Sequence, residues 1–257
     1  MRLRFLGAHQ SEAGPFRPMS ILVEGTLALD AGGLTGALTI QEQSNLQALL
    51  LTHRHYDHIR DIPLLGLNIL ERGHPLPIYG LPDTLEHLRR YLLDGSLYLD
   101  FTRRPSPEQP FFHLIPVVPL TPFQLLGYQA RAIPVPHSVP AVGWELTDTR
   151  GKTVFYTGDC GPQVARAWEH TRPDLLVIEA TMPDRLLQRA TNAGHLTPAT
   201  LAQALEALLR IQDAPLQVVA AHLNPAVREE VAQELHTHLS SMGLTPSIAT
   251  EGMMLEI

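Results

Sequence analysis

The segment LTHRHYDHIRDIP, residues 51–63, places His53, His55, Asp57 and His58 within six positions. Imidazoles this close repel one another once protonated, so the grouping is costly unless a ligand takes up their lone pairs. Neutral imidazole nitrogens and carboxylate oxygens are the donors that zinc and related divalent cations accept. His53 and His55 stand two apart at the end of the apolar run ALLLT, and in an extended chain such residues project to one side. Asp57 and His58 follow where the chain must turn into a helix, bringing a carboxylate and a third imidazole round the same point. Four donors exceed what one catalytic cation with an open position takes. The spacing therefore predicts two divalent ions. The bland alternative is a polar loop with chance histidines, and the density of donors weighs against it.

Further candidates come singly. Asp30 opens DAGG, His137 lies in PVPHS, Asp159 ends VFYTGD, and His222 ends VVAAH. Each follows an apolar run and precedes a turn, as a site assembled at one edge of packed sheets requires. Alone, His137 or His222 would more often be a satisfied core or surface histidine; their order and strand-end positions reverse that reading. Asp30 is best read as a carboxylate that orients an imidazole through its other ring nitrogen. Histidines 9, 74, 87, 113, 170, 236 and 238 are read as ordinary, and Cys160 as a small buried thiol.

HRHYDH matches the HxHxDH signature of the metallo-β-lactamase superfamily, and the later segments match in order along nearly the whole chain. The resemblance implies that His53, His55 and His137 hold one metal. Asp57, His58 and His222 would hold the second, with Asp159 bridging the two and zinc, or else manganese, as the ion. A hydroxide held between such metals makes hydrolysis the expected reaction, with Asp57 among the catalytic residues.

Two more stretches bear on the branch. VIEATM places Glu179 at a strand end, and AGHLTP places His195 just before a helix. The ribonuclease Z and class II cyclic-nucleotide phosphodiesterase branch is similar, although ribonuclease Z usually begins the first segment with histidine where this chain has Ile178. In this reading His195, paired with Glu179, gives a proton to a leaving alkoxide. Free amides at the helix start, Pro198, would face a bound phosphate. PIYGLPD, HSVPAVGWEL and EGMMLEI are also similar to the phosphonate-pathway cyclic phosphodiesterase. Both likenesses imply a phosphodiester as substrate and both include small cyclic phosphates, the substrate expected here; the branch is compatible with a homodimer.

These residues need elements to position them. Strands are expected in RLRFLG, SILVEGTLALDAGG, ALLLT, PIYG, FFHLIPV and YQARAIPVPHS, with VGWELTDTRGKTVFYTGD as a hairpin turning near Arg150-Gly151. DLLVIEAT, LQVVAAH and SIATEGMMLEI complete the strands. Helices are expected in TIQEQSNLQ, IRDIPLLGLNIL, PDTLEHLRRYLLD, PQVARAWEH, TPATLAQALEALLRI and PAVREEVAQELHTHL. Leu85, Leu88 and Leu92 share a face, while Thr197-Pro198 and Asn224-Pro225 are N-cap and first-turn pairs. The order predicts an α/β fold: an αββα four-layer sandwich of two mixed sheets flanked by helices, in one domain over 1–257. The proline-rich stretch 101–126 is expected to form a flap beside the site.

Composition narrows the partners. Nineteen basic against 26 acidic residues give a formal charge of −7, which disfavours long nucleic acids. Small anions stay admissible, because metals supply positive charge locally. One cysteine fits a reducing, cytoplasmic compartment, and no apolar run is long enough to span a membrane. Lactone or thioester hydrolysis, or ribonuclease Z-like RNA cleavage, are the enzymatic alternatives. Iron redox chemistry is disfavoured by His55, where the flavodiiron relatives carry glutamate. A non-catalytic binding module is disfavoured by the complete donor set.

Overall fold

The computed structural model describes residues 1–212 and 214–257. Two seven-stranded sheets dominate it. In spatial order the first sheet runs Met254–Glu256, Arg2–Gly7, Ser20–Val23, Leu27–Leu29, Ala48–Leu50, Leu76–Gly80 and Phe112–Pro116. Its pairing is antiparallel up to Leu27–Leu29 and parallel beyond. The second runs Ser247–Ile248, Gln217–Ala221, Leu175–Glu179, Thr153–Tyr156, Ala141–Thr147, Tyr128–Val135 and Phe123–Leu125. Here the parallel strands come first, and the hairpin expected near Arg150-Gly151 is antiparallel.

Successive side chains of a strand leave on opposite faces, and this alternation divides the apolar residues among three cores. Ala48 and Leu50 join Phe5, Ile21, Trp144, Val177 and Val219 between the sheets. Leu49 points outward, with Ala28 and Ile78, under the helices Ile62–Asn68 and Pro82–Tyr91. Leu176 and Ile178 take the outer face of the second sheet, beneath Pro162–Glu169, Pro198–Leu209 and Arg228–Ser241. Strands buried on both faces read as unbroken apolar runs, which is why ALLL and LLVI do not alternate. The four-layer α/β sandwich is the fold expected. No helix among the described residues is long and apolar enough to cross a membrane.

Four expectations need revision. SIATEGMMLEI is two strands, Ser247–Ile248 in the second sheet and Met254–Glu256 in the first. The turn between them carries Gly252 at φ 83° and Glu251. His9 is not ordinary: it is buried, and its Nδ1 lies 2.8 Å from Glu251 Oε1, which also accepts the Arg17 N–H at 2.8 Å. PQVARAWEH winds as a 3-10 helix, Pro162–Glu169. Residues 101–126 supply edge strands to both sheets, with Phe101 packed in the outer core of the first, in place of a separate flap.

Candidate metal centre

Six strands deliver residues to one end of the sandwich. Leu27–Leu29 ends on Asp30, which turns with φ 56°, a conformation uncommon outside glycine. Asp30 is fully buried and accepts four hydrogen bonds. These come from Thr52 N–H (2.8 Å), Thr52 Oγ1 (2.8 Å), Tyr156 Oη (2.9 Å) and His58 Nδ1 (2.7 Å). The second sheet is fastened to the same place, since Trp144 Nε1 donates to the Leu51 carbonyl and the Val142 amide to that of Thr52.

From that anchor the ring states follow by elimination. Thr52 has one hydroxyl proton and gives it to Asp30, so at 3.0 Å it must accept from His53 Nδ1. His137 Nδ1 donates to the Gly194 carbonyl at 2.9 Å. Both rings therefore turn bare Nε2 lone pairs inward, each about 3 Å from His55 Nδ1, at 3.0 and 3.1 Å. One proton on His55 cannot bridge both. Burial, followed by repulsion from the neighbouring imidazoles, lowers the pKa of His53 and His55, and burial lowers that of His137, so these rings stay neutral. Asp159 Oδ2 stands 3.7 Å from both His53 Nε2 and His137 Nε2.

A second group shares that carboxylate. Asp159 Oδ1 lies 3.1 Å from His58 Nε2 and 3.3 Å from His222 Nε2, and Asp57 Oδ2 lies 3.3 Å from His222 Nε2. His58 Nε2 and Asp159 Oδ1 are buried without a hydrogen-bond partner among the described residues, a costly state unless another group satisfies them. Burial opposes charging His58, but Asp159, Asp30 and Asp57 outweigh it and raise its pKa well above the ordinary range. In the metal-free protein a proton thus stands where a cation would. Within each group the donor atoms lie within 4.8 Å of one another. The donor chemistry of each group fits a divalent cation, and Asp159 belongs to both groups.

Glu179, His195 and His222 form a third cluster, and its centre is already filled. Thr181 Oγ1 lies 2.5 Å from Glu179 Oε2, 2.9 Å from His222 Nδ1 and 3.4 Å from His195 Nδ1. Glu179 accepts from Cys160 N–H (2.7 Å), Leu196 N–H (3.1 Å) and His195 Nδ1 (2.9 Å) as well. Burial by itself would lower the pKa of His195; the charge and hydrogen bond of Glu179, with Asp159 and Asp57 behind, raise it to about 9. The His195 ring stacks on that of His222 at 5.5 Å.

Residues 31–223 match the family described as the beta-lactamase superfamily domain. The chain belongs to the beta-lactamase superfamily. Among relatives in the superfamily, ribonuclease J of Thermus thermophilus is 30% identical over 56% of this chain and 25% of its own length. Ribonuclease Z of Kineococcus radiotolerans is 24% identical over 59% of this chain and 60% of its own length. The chain therefore spans a quarter of the first relative and three fifths of the second. The metallo-beta-lactamase fold protein YhfI of Bacillus subtilis superposes with a TM-score of 0.78 at 22% identity, covering 99% of this chain and 98% of that one. Unliganded yeast PDE1 gives 0.80 at 17%, covering 100% and 99%. A diphosphatase of the PhnP family gives 0.65 at 16%, covering 100% and 97%. These three likenesses are of fold.

In this member of the superfamily, His53, His55, Asp57, His58, His137, Asp159 and His222 converge at one point, with Glu179 and His195 beside them. Asp30 sits beneath as the residue that orients an imidazole, and Cys160 is a buried thiol whose pKa burial pushes up. The helix start at Pro198 departs from expectation. Its Ala199 amide donates to Asp184 Oδ1 at 2.9 Å, so a carboxylate of the chain already occupies the place expected for phosphate. Tyr156, Thr181 and the Gly194 carbonyl carry positioning contacts that no local motif announces. Only the neighbourhood of Thr181 in EAT and of Gly194 in AGH marks them.

Gly194 yields one prediction. It lies at φ 78°, and a Cβ there would stand 2.8 Å from Ser138 N and 3.0 Å from His137 Nδ1. Gly194→Ala must displace the His137 ring or lose its carbonyl acceptor. Loss of a partner that orients a ligand weakens metal binding by roughly 10- to 100-fold. Zinc competition against a chelator should find one weakened step of that size; unchanged affinity would show that the loop yields freely.

Proposed function

We propose that residues 1–257 form one hydrolase domain, a dinuclear metal-dependent phosphodiesterase of the cytoplasm that cleaves small, cyclic phosphodiesters. The observation that carries the reading is the buried Glu179–His195 pair, 2.9 Å between Oε1 and Nδ1, set beside the two donor groups. A thioester expels a thiolate, which departs without such an acid; a phosphodiester expelling an alkoxide needs one.

His53, His55, His137 and Asp159 would hold one cation, and Asp57, His58, His222 and Asp159 the other, zinc in preference to manganese. When bound, two such cations supply Lewis acidity and an ionised water near neutral pH. The chain does the rest. Asp30 and Thr52 keep His58 and His53 turned inward. His195, held by Glu179 through Nδ1, delivers a proton from Nε2 to the departing oxygen as its bond to phosphorus breaks. Glu179 balances the imidazolium before the transfer and keeps the remaining proton of the neutral ring on Nδ1 after it.

The formal charge of −7 favours a small substrate over long RNA. The likeness to ribonuclease Z relatives supports a second reading, an RNA endonuclease. The deciding experiment offers zinc- or manganese-loaded protein a panel of substrates: 2′,3′-cyclic nucleotides, cyclic sugar phosphates, bis(p-nitrophenyl) phosphate, a tRNA precursor and a lactone. Phosphodiester hydrolysis is expected, lost on chelation and restored by metal, with the precursor left intact. Lactone hydrolysis without phosphodiester cleavage would refute the proposal, and efficient cutting of the precursor would select the second reading.

A further inference from the structure

We propose that Thr181 is a positioning residue that fixes the tautomer of His222 and hangs it from the same carboxylate that holds His195. This rests on the reading above in one respect, that His222 serves the second cation.

The argument is one of proton counting. Glu179 is a carboxylate that already accepts from three other donors, Cys160 N–H, Leu196 N–H and His195 Nδ1, and as an acceptor it can offer Thr181 no proton. At 2.5 Å the Thr181 hydroxyl must donate to Glu179 Oε2. A hydroxyl has one proton and spare lone pairs, so towards His222 Nδ1, 2.9 Å away, it can only accept. His222 must then carry a proton on Nδ1, which leaves Nε2, 3.3 Å from Asp57 Oδ2 and Asp159 Oδ1, as the nitrogen that can face a cation. Without Thr181 the remaining hydrogen bond described for the ring is that of Nε2 to Asp57 Oδ2, an acceptor that draws the proton to the wrong nitrogen.

The main chain of Thr181 is fastened to both segments that it would coordinate. Its N–H donates to the Leu196 carbonyl at 3.1 Å, and its carbonyl accepts the Asn224 N–H at 3.0 Å. Thr181 is fully buried, so water cannot easily stand in for the hydroxyl. His222 itself needs holding, since it lies at φ 61° and leaves its strand by a conformation that seldom suits a side chain. His195 keeps its direct bond to Glu179 whether or not the hydroxyl is present. The loss of Thr181 should therefore fall on His222 alone.

Thr181→Val exchanges the hydroxyl for a methyl of similar size. Stepwise Zn²⁺ binding, read by chelator competition, should show one step weakened by roughly 10- to 100-fold, the usual consequence of removing a ligand's hydrogen-bond partner. The other step should stay at the wild-type value, and Thr181→Ser should restore the weakened one. Two unaltered steps, equal weakening of both, or a serine variant as defective as valine would each overturn the proposal. A measurement on the unmodified protein covers the case in which the valine variant does not fold. In ¹⁵N spectra of the zinc-loaded wild type, His222 must carry its proton on Nδ1; a proton on Nε2 overturns the proposal. A wild type that binds two zinc ions but cleaves no phosphodiester would sink the functional reading and leave this inference standing.

Discussion

Asp30→Ala is expected to destabilise the metal-free protein by about 3–5 kcal/mol, the usual cost of removing one partner from a buried, charged network. Counting four hydrogen bonds at about 1 kcal/mol each gives a similar figure. The larger part lies in what stays behind: Thr52 N–H, Thr52 Oγ1, Tyr156 Oη and His58 Nδ1, sealed from water around a methyl group. For a chain of this size the thermal midpoint should fall by roughly 10 °C. Measuring without metal separates this loss from weaker cation binding, which should appear in addition because His58 loses the acceptor that orients it. Asp30→Asn keeps the shape but turns an amide N–H₂ towards donors, so it should recover only part of the loss. A change below about 1 kcal/mol would mean that Asp30 does not anchor the segments of Thr52, His58 and Tyr156 to which it is bonded.

The second large effect is on rate. His195→Ala should lower kcat on an ester with an alkoxide leaving group by about 10²- to 10⁴-fold, the range of a single general acid. On bis(p-nitrophenyl) phosphate the loss should be less than about 10-fold, because p-nitrophenolate departs without a proton, and general-acid help is then worth little. Metal content should be unchanged. The pH profile gives a separate check. An acid must hold its proton to act, so the wild-type rate on the alkoxide ester should decline as pH rises through the pKa of His195. That pKa is about 9 without metal, and bound cations would draw it lower. The alanine variant should lack this alkaline limb. A variant as fast as wild type on the alkoxide ester would remove the acid role and, with it, the argument against thioester substrates.

What could be read from the sequence was what is local. HRHYDH compresses four donors into one turn, and apolar runs ending on Asp30, Asp159, Glu179 and His222 mark strand ends without reference to their neighbours. Asp30 was legible as an imidazole-orienting carboxylate because it precedes a turn and lacks the spacing of a ligand. The contacts that set ring tautomers were not legible. Thr181 lies 41 residues from His222, and the Tyr156 hydroxyl reaches Asp30 across 126; no pattern within a segment records such pairs. Asp184 at the start of the Pro198 helix escaped for the same reason. The closing segment is a different case. Its apolar residues suggested one strand, yet the Thr-Glu-Gly turn inside it signals the passage from one sheet to the other.

The division of the centre between the two sheets bears on how the protein comes to be loaded. His53, His55, Asp57 and His58 stand in the first half of the chain; His137, Asp159 and His222 follow much later, and His222 meets Asp57 across 165 residues. A nascent chain on the ribosome displays a histidine-rich strip long before Asp159, which belongs to both donor groups, has been synthesised. Any cation met at that stage would find a pliant, incomplete set of donors. The full set exists only in the finished molecule, so a cation held by all of it would be taken up after folding.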